Sequence, residues 1–290
     1  MHTHANFHLL IIDPQNDFCD LPAAYLPPDG QGQKIAPSLP VPGAHADMVR
    51  LAELITDGGD GLRTITITLD SHHYLDIAHP TFWCDKNGDS VPPFTQITAA
   101  DVRIGQYVPR MENALPRVFS YLDQLEAAGR YHLMVWPVHC EIGSWGHNVH
   151  TDIQHAYHGW ELKTLNTVAK VSKGSNPWTE HYSAVRAEVP DPDDASTGTN
   201  RSLLTNLAQA DRIYIAGEAG SHCVKATTEH IAENFGPAHI GKLILITDCM
   251  SPVAGFEQQY HDFMRQIVAQ GARTLSAAQA LQELHANVRK

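Results

Sequence analysis

Residues 212–235, Arg-Ile-Tyr-Ile-Ala-Gly-Glu-Ala-Gly-Ser-His-Cys-Val-Lys-Ala-Thr-Thr-Glu-His-Ile-Ala-Glu-Asn-Phe, change their hydrophobic period in mid-course. Ile213 to Ala216 form a short apolar run rich in β-favouring residues, which suits a buried strand. Gly217 and Gly220 interrupt it with permissive backbone. From Ser221 the period is helical, with Val224, Ala226, Thr227, Ile231 and Phe235 available for one face. Ser221 is the expected N-cap, so Cys223 falls in the first turn of a helix at the carboxyl edge of a sheet. Backbone N–H groups and the helix dipole favour negative charge there, which predicts a stabilised thiolate. The same N–H groups suit an oxyanion. Against this nucleophile reading stands the ordinary behaviour of free cysteine, a small buried hydrophobe. Groups supplied elsewhere in the chain decide between them.

The chain repeats the pattern of a strand that ends on a reactive group. Leu9 to Ile12 is an apolar run that reads as a buried parallel strand, and Asp13 ends it. Open α/β sheets place ligands at the carboxyl ends of such strands, although Asp13 and Asp17 could equally satisfy turn backbone beside Pro14. Residues 19–42 are rich in Pro and Gly and read as a loop, and a helix is expected over 44–57. Residues 63–69 alternate Ile and Thr at period 2, a second strand. Asp70-Ser-His-His-Tyr-Leu-Asp-Ile-Ala-His79 follows, a metal-ligand composition in which extended backbone points Asp70 and His72 to one side. A metal-free His-rich surface loop is the alternative. Residues 82–112 read as irregular and too long for a bare connection, with a helix near 113–128 after them. A third strand, 131–136, runs into Trp136-Pro-Val-His139-Cys140, and a fourth, 167–172, ends on Lys173-Gly174. A lone lysine after a strand is usually solvated. Residues 174–200 form another loop, followed by a helix near 200–209. Beyond Cys223 come a strand over 242–247 and a helix, short strand and helix.

Parallel strands gather their carboxyl ends on one edge, so Asp13, Asp70 with His72, His139, Lys173 and Cys223 can share one crevice. Independent bland readings for all five become improbable together. Hydrophobic residues at 43% and charged residues at 18% of 290 allow a substantial core. One domain covering 1–290, with insertions near 19–42 and 82–112, is the simplest organisation. A net charge of −12 without a Lys/Arg cluster argues against nucleic-acid and anionic-membrane partners. Met1-His-Thr-His-Ala-Asn lacks the charged head and apolar run of a signal peptide. Nothing reaches the length of a transmembrane helix. Five cysteines without scaffold spacing suggest reduced thiols and a cytoplasmic protein.

From about residue 7 to 250 these motifs resemble the isochorismatase-like cysteine hydrolases, and within them the nicotinamidase/pyrazinamidase branch. The resemblance implies an α/β three-layer sandwich with a central, mostly parallel sheet. It implies that Asp13, in Ile-Ile-Asp-Pro-Gln-Asn-Asp-Phe, is the general base, that Lys173 completes a triad, and that Cys223 attacks. It places the oxyanion hole on the backbone N–H groups of Ala219 and Cys223, with a cis peptide at Glu218–Ala219. It further implies one divalent metal, zinc before iron or manganese, on Asp70, His72, His79 and His139, with His73 a competitor for the third position. Phe18 and Trp136 would sandwich a pyridine ring, and Tyr182 would line the pocket. Homo-oligomers are common in the family. The chain departs from the family pattern at Ser221, where an Asp is usual, at Glu218, usually apolar, and in the length of the 19–42 and 82–112 segments.

The chemistry is coherent from the residues themselves. The Lys173 charge favours a carboxylate and a thiolate beside it, and one carboxylate with three imidazoles suits Zn²⁺, Fe²⁺ or Mn²⁺. The expected reaction is hydrolysis of nicotinamide to nicotinate and ammonia through a thioester on Cys223. Three rivals stand beside it: an amidase for a carbamoyl or ureido compound, a metallohydrolase in which Cys223 is incidental, and a non-catalytic small-molecule or metal-binding relative.

Overall fold

The computed structural model describes residues 4–288, apart from the Glu112 side chain; the opening Met1–Thr3 lies outside them. The first half of the chain forms β1 (Phe7–Ile12), α1 (Ala44–Gly58), β2 (Thr64–Asp70), β3 (Trp83–Asp85), β4 (Thr95–Ile97), α2 (Ala99–Arg103), β5 (Tyr107–Pro109), α3 (Leu115–Ala128) and β6 (Leu133–Val135). The second half forms α4 (Thr151–Thr164), β7 (Ala169–Lys173), α5 (Arg201–Ala208), β8 (Arg212–Gly217) and α6 (Cys223–Phe235). It closes with β9 (Leu243–Ile246), α7 (Glu257–Ala269), β10 (Arg273–Leu275) and α8 (Ala277–Ala286).

Six of these strands make one sheet in the order β10-β9-β8-β1-β2-β7, and every pairing in it is parallel. Helices α1, α4 and α8 cover one face, while α5, α6 and α7 cover the other. The architecture is the expected three-layer α/β sandwich. Its central strands are the continuous apolar runs that burial on both faces demands: all six residues of β1 and all four of β9 are buried. Register then delivers the strand-end groups. Ile12 lies beside Gly217 and Asp70 beside Lys173, so β1, β8, β2 and β7 all finish on one edge. Among the described residues no helix is long and apolar enough to cross a membrane.

Three local expectations need correction. The strand before His139 does not join the main sheet: β6 pairs antiparallel with β4, Thr95 opposite Val135 and Ile97 opposite Leu133. Three consecutive apolar residues satisfy a side pairing as well as a central one, and sequence alone cannot separate the two. Residues 82–112 are not irregular either. They carry β3, β4, α2 and β5, and with α3 and β6 enclose a second core around Phe82, Trp83, Val118, Leu122 and Leu133. Strands of three residues are too short to show a period. Finally, α4 occupies a stretch given no element from the sequence, although its buried Ile153, Ala156, Tyr157 and Trp160 stand at helical spacing.

Candidate active site

The turn after β8 is built by close backbone approach. Gly217 sits at φ 119°, and a Cβ there would lie 2.0 Å from the Ile12 carbonyl oxygen, so only glycine fits between the two strand ends. The Glu218–Ala219 peptide is cis. The Gly220 N–H donates to the Ser251 carbonyl at 2.7 Å, and the N–H groups of His222 and Val224 both donate to the Ala219 carbonyl. Cys223 is the first residue of α6, as its position in the first turn requires. Ser221 is not the N-cap. His222 holds that place without a side-chain cap, while the Ser221 Oγ accepts from the Val253 N–H at 3.0 Å and lies 2.9 Å from His222 Nδ1. The hydroxyl is used to tie the turn to the 249–253 loop instead. Among the described residues no backbone carbonyl takes the N–H of Ala219 or Cys223.

Lys173 organises the centre. Its Nζ lies 2.9 Å from Asp13 Oδ2, 2.9 Å from Asp70 Oδ1 and 3.6 Å from Cys223 Sγ, and donates to the His181 carbonyl at 3.0 Å. All four side chains are buried. Ligand atoms of Asp13, Asp70 and Cys223 lie within 4.8 Å of one another, and the lysine ammonium takes the place a cation would occupy among them. Asp13 stands at φ 43°, a conformation short aspartate side chains tolerate. Thr68 grips it twice, donating its hydroxyl to Asp13 Oδ1 at 2.5 Å and accepting the Asp13 N–H at 3.0 Å.

Electrostatics set the resting proton positions. Burial opposes the charge on Lys173, but the Asp13 and Asp70 carboxylates outweigh it and hold the ammonium well above the ordinary lysine range. Burial raises the Asp13 carboxyl, against the pull of Lys173 and the Thr68 hydrogen bond. Burial likewise pushes the Cys223 thiol well above its ordinary value, with Asp13 and Asp70 adding to it and Lys173 opposing. The stabilised thiolate expected from the helix N-terminus is therefore not the resting state. Desolvation and the two neighbouring carboxylates act against the helix dipole and favour the thiol form of Cys223.

Beside the triad the four residues expected to ligate a metal come together. His72 Nε2 lies 3.2 Å and His139 Nε2 3.5 Å from Asp70 Oδ2, and His79 Nε2 lies 3.3 Å from His139 Nδ1. The three rings pack with centroids 4.7–5.2 Å apart. His73, the competitor, is exposed, whereas His79 is buried. Burial, then His139 and His72, push His79 down to about 2, so it carries a free ring nitrogen. Three imidazoles converging on a carboxylate inside the protein are the donor set of a divalent ion. His139 reaches them because its loop runs alongside residue 72: the His72 N–H donates to the Cys140 carbonyl and the Ile142 N–H to the His72 carbonyl, each at 3.0 Å. Asp17 anchors that loop by accepting the Cys140 N–H at 2.7 Å, the turn-building role weighed for it.

The aromatics expected to line the pocket fall in two contacts. Phe18 meets His139 edge-on at 5.5 Å, and Trp136 donates its indole N–H to the Tyr182 hydroxyl at 3.1 Å. Around Trp136 stand Phe94, His222 and Phe256, with ring centroids 5.1–6.0 Å away. Sequence reasoning missed Thr68, Asp76, His222, Phe94 and Phe256. Thr68 sits two residues before Asp70 on the same side of its strand, which was a usable signal. The others come from turns and loops whose course no local pattern predicts.

No family model matches the chain, and no curated protein sequence does. Solved structures do. A nicotinamidase/pyrazinamidase from Acinetobacter baumanii aligns over 96% of this chain and 99% of its own, at 17% identity and TM-score 0.59. An isochorismatase-like hydrolase from Alkaliphilus metalliredigens aligns over 96% and 99%, at 14% identity and TM-score 0.51. A pyrazinamidase of Pyrococcus horikoshii in complex with zinc aligns over 93% and 99%, at 17% identity and TM-score 0.50. The chain thus has the fold of the isochorismatase-like hydrolases. Several structures sharing that fold are nicotinamidases or pyrazinamidases.

Proposed function

We propose that this chain is a metal-containing cysteine amidohydrolase acting on nicotinamide, with Cys223 as nucleophile, Asp13 as proton carrier and Lys173 as their common counter-ion. The observation that carries the reading is the Lys173 ammonium held by Asp13 and Asp70 and 3.6 Å from Cys223 Sγ. A binding module needs no buried charged set of this kind, and the set costs several kcal/mol of desolvation per ion to assemble. Fold relatives that are nicotinamidases and pyrazinamidases support the choice of substrate class.

The resting thiol and the raised Asp13 carboxyl define the sequence of proton moves. Asp13 takes the Cys223 proton as sulfur attacks the amide carbon, and Lys173 offsets the charge throughout. The backbone N–H groups of Ala219 and Cys223 receive the developing oxyanion. Collapse breaks the C–N bond, and Asp13 returns the proton to the departing nitrogen, giving ammonia and a thioester. Asp13 then accepts a proton from water as it attacks the thioester, releasing nicotinate and restoring the thiol. Asp70, His72, His79 and His139 would hold a divalent ion, zinc by the donor set, which supplies an electrophilic anchor for a pyridine nitrogen. Phe18, Trp136 and Tyr182 would orient the ring. The free cysteines suit a reducing, cytoplasmic setting.

The test is ammonia release from nicotinamide by zinc-loaded protein beside Cys223→Ala. Release by the parent chain and loss by at least about 10³-fold in the variant is the expected result. Equal release by both would place the chemistry elsewhere, and no release by either would remove nicotinamide as the substrate.

A further inference from the structure

Asp76 lies between His72 and His79 and takes no part in the reaction proposed above, yet it is fully buried. One carboxylate oxygen, Oδ2, lies 3.1 Å from His72 Nδ1. The other, Oδ1, accepts the Ala78 N–H at 2.9 Å. Its backbone carbonyl accepts the His79 N–H at 2.9 Å. A single residue therefore contacts one imidazole through its side chain and fixes the turn leading to a second. His72 Nδ1 faces Asp76 and its Nε2 faces Asp70, and its ring packs against those of His79 and His139.

We infer that Asp76 is a positioning residue for the metal centre: it selects the ring orientation and tautomer in which His72 presents Nε2, and it holds the seven-residue turn that brings His79 opposite. The inference rests on the reading of Asp70, His72, His79 and His139 as metal ligands. A carboxylate accepts only, so the Nδ1 facing Asp76 is held protonated, and Nε2, the nitrogen directed at Asp70, is the one that would give up its proton to bind an ion. An imidazole whose far N–H is held by a carboxylate is also a more basic ligand. The turn explains why a spacing of seven residues works: the Asp76 carboxylate and carbonyl together occupy two of its N–H groups and shape it around themselves.

The test uses zinc ion alone, titrated against a competing chelator into the full-length protein stripped of metal. Asp76→Asn is nearly isosteric. Its amide can serve the Ala78 N–H only by turning an N–H₂ toward His72 Nδ1, or serve His72 only by turning that group toward the Ala78 N–H. Asp76→Ser keeps a short acceptor for the turn but cannot reach His72. Both variants should bind zinc about 10- to 100-fold more weakly, while circular dichroism and the unfolding midpoint of the metal-free protein separate this from loss of fold. Parent protein that binds no zinc overturns the metal reading itself. Parent protein that binds, with Asp76→Asn and Asp76→Ser within about twofold of it, overturns the role of Asp76 alone. Should either variant be unfolded without metal, the other decides.

Discussion

Thr68→Val isolates the support of Asp13 from the triad itself. Valine has nearly the shape of threonine and suits a strand, so β2 should keep its course and Asp70 its place. The substitution removes the hydroxyl that donates to Asp13 Oδ1 at 2.5 Å and accepts the Asp13 N–H at 3.0 Å. A hydrogen bond to a charged group contributes about 1.5–3 kcal/mol, and a buried N–H left without a partner costs about 1–3 kcal/mol. Because the two effects overlap on one residue, a loss of about 3 kcal/mol is expected. An unfolding entropy near 0.6 kcal/mol/K for a chain of this length makes that about 5 °C in the melting midpoint. The sign with pH follows from the Asp13 carboxyl, raised by burial and lowered by Thr68. A carboxyl raised on folding lowers stability as pH climbs from the ordinary aspartate range through the folded value. Removing Thr68 raises it further, so the deficit of the variant should grow as pH climbs past the folded value of the parent. The acid limb of the ammonia-release profile should move upward as well, since Asp13 must be ionised to take the thiol proton. Melting curves and the rate profile across that range check both. A variant as stable as its parent, with an unmoved acid limb, would refute the claim that Thr68 tunes Asp13.

Two further outcomes test the surroundings of Cys223. Gly217→Ala adds a Cβ 2.0 Å from the Ile12 carbonyl at φ 119°, and strain plus overlap with backbone should cost at least about 3 kcal/mol; thermal unfolding or soluble yield reads this, and a stable alanine variant would contradict it. Burial, then Asp47, hold the Glu218 carboxyl well above its ordinary value, so it is neutral, and Glu218→Gln should shift stability by less than about 1 kcal/mol, whereas a loss of several kcal/mol on chemical denaturation would show that the residue is ionised.

The alternation of apolar runs with helical stripes was sufficient for the layer architecture, because strands buried on both faces must be apolar throughout. The position of Asp13, Asp70, Lys173 and Cys223 at strand ends was visible for the same reason: each ends or follows such a run. His139 lies beside His72 and His79 for a different structural reason from the one its strand suggested. Its strand belongs to a side pairing with β4, and the loop from Cys140 to Ile142, hydrogen-bonded to His72, carries the histidine into the cluster. The protonation preference of Cys223 was only half legible, because a helix N-terminus can be read locally, whereas the burial that opposes it cannot.

Period and strand order are local and parallel topology does the rest, so the strand-end groups and the edge on which they meet can be read from the chain alone. Tertiary structure alone decided which histidine turns inward, which hydroxyl holds Asp13, and where the protons rest. Those outcomes depend on contacts between residues far apart in the chain, such as Asp13 with Thr68 and His72 with Cys140. They depend too on desolvation, which exists only once the layers have closed around the site.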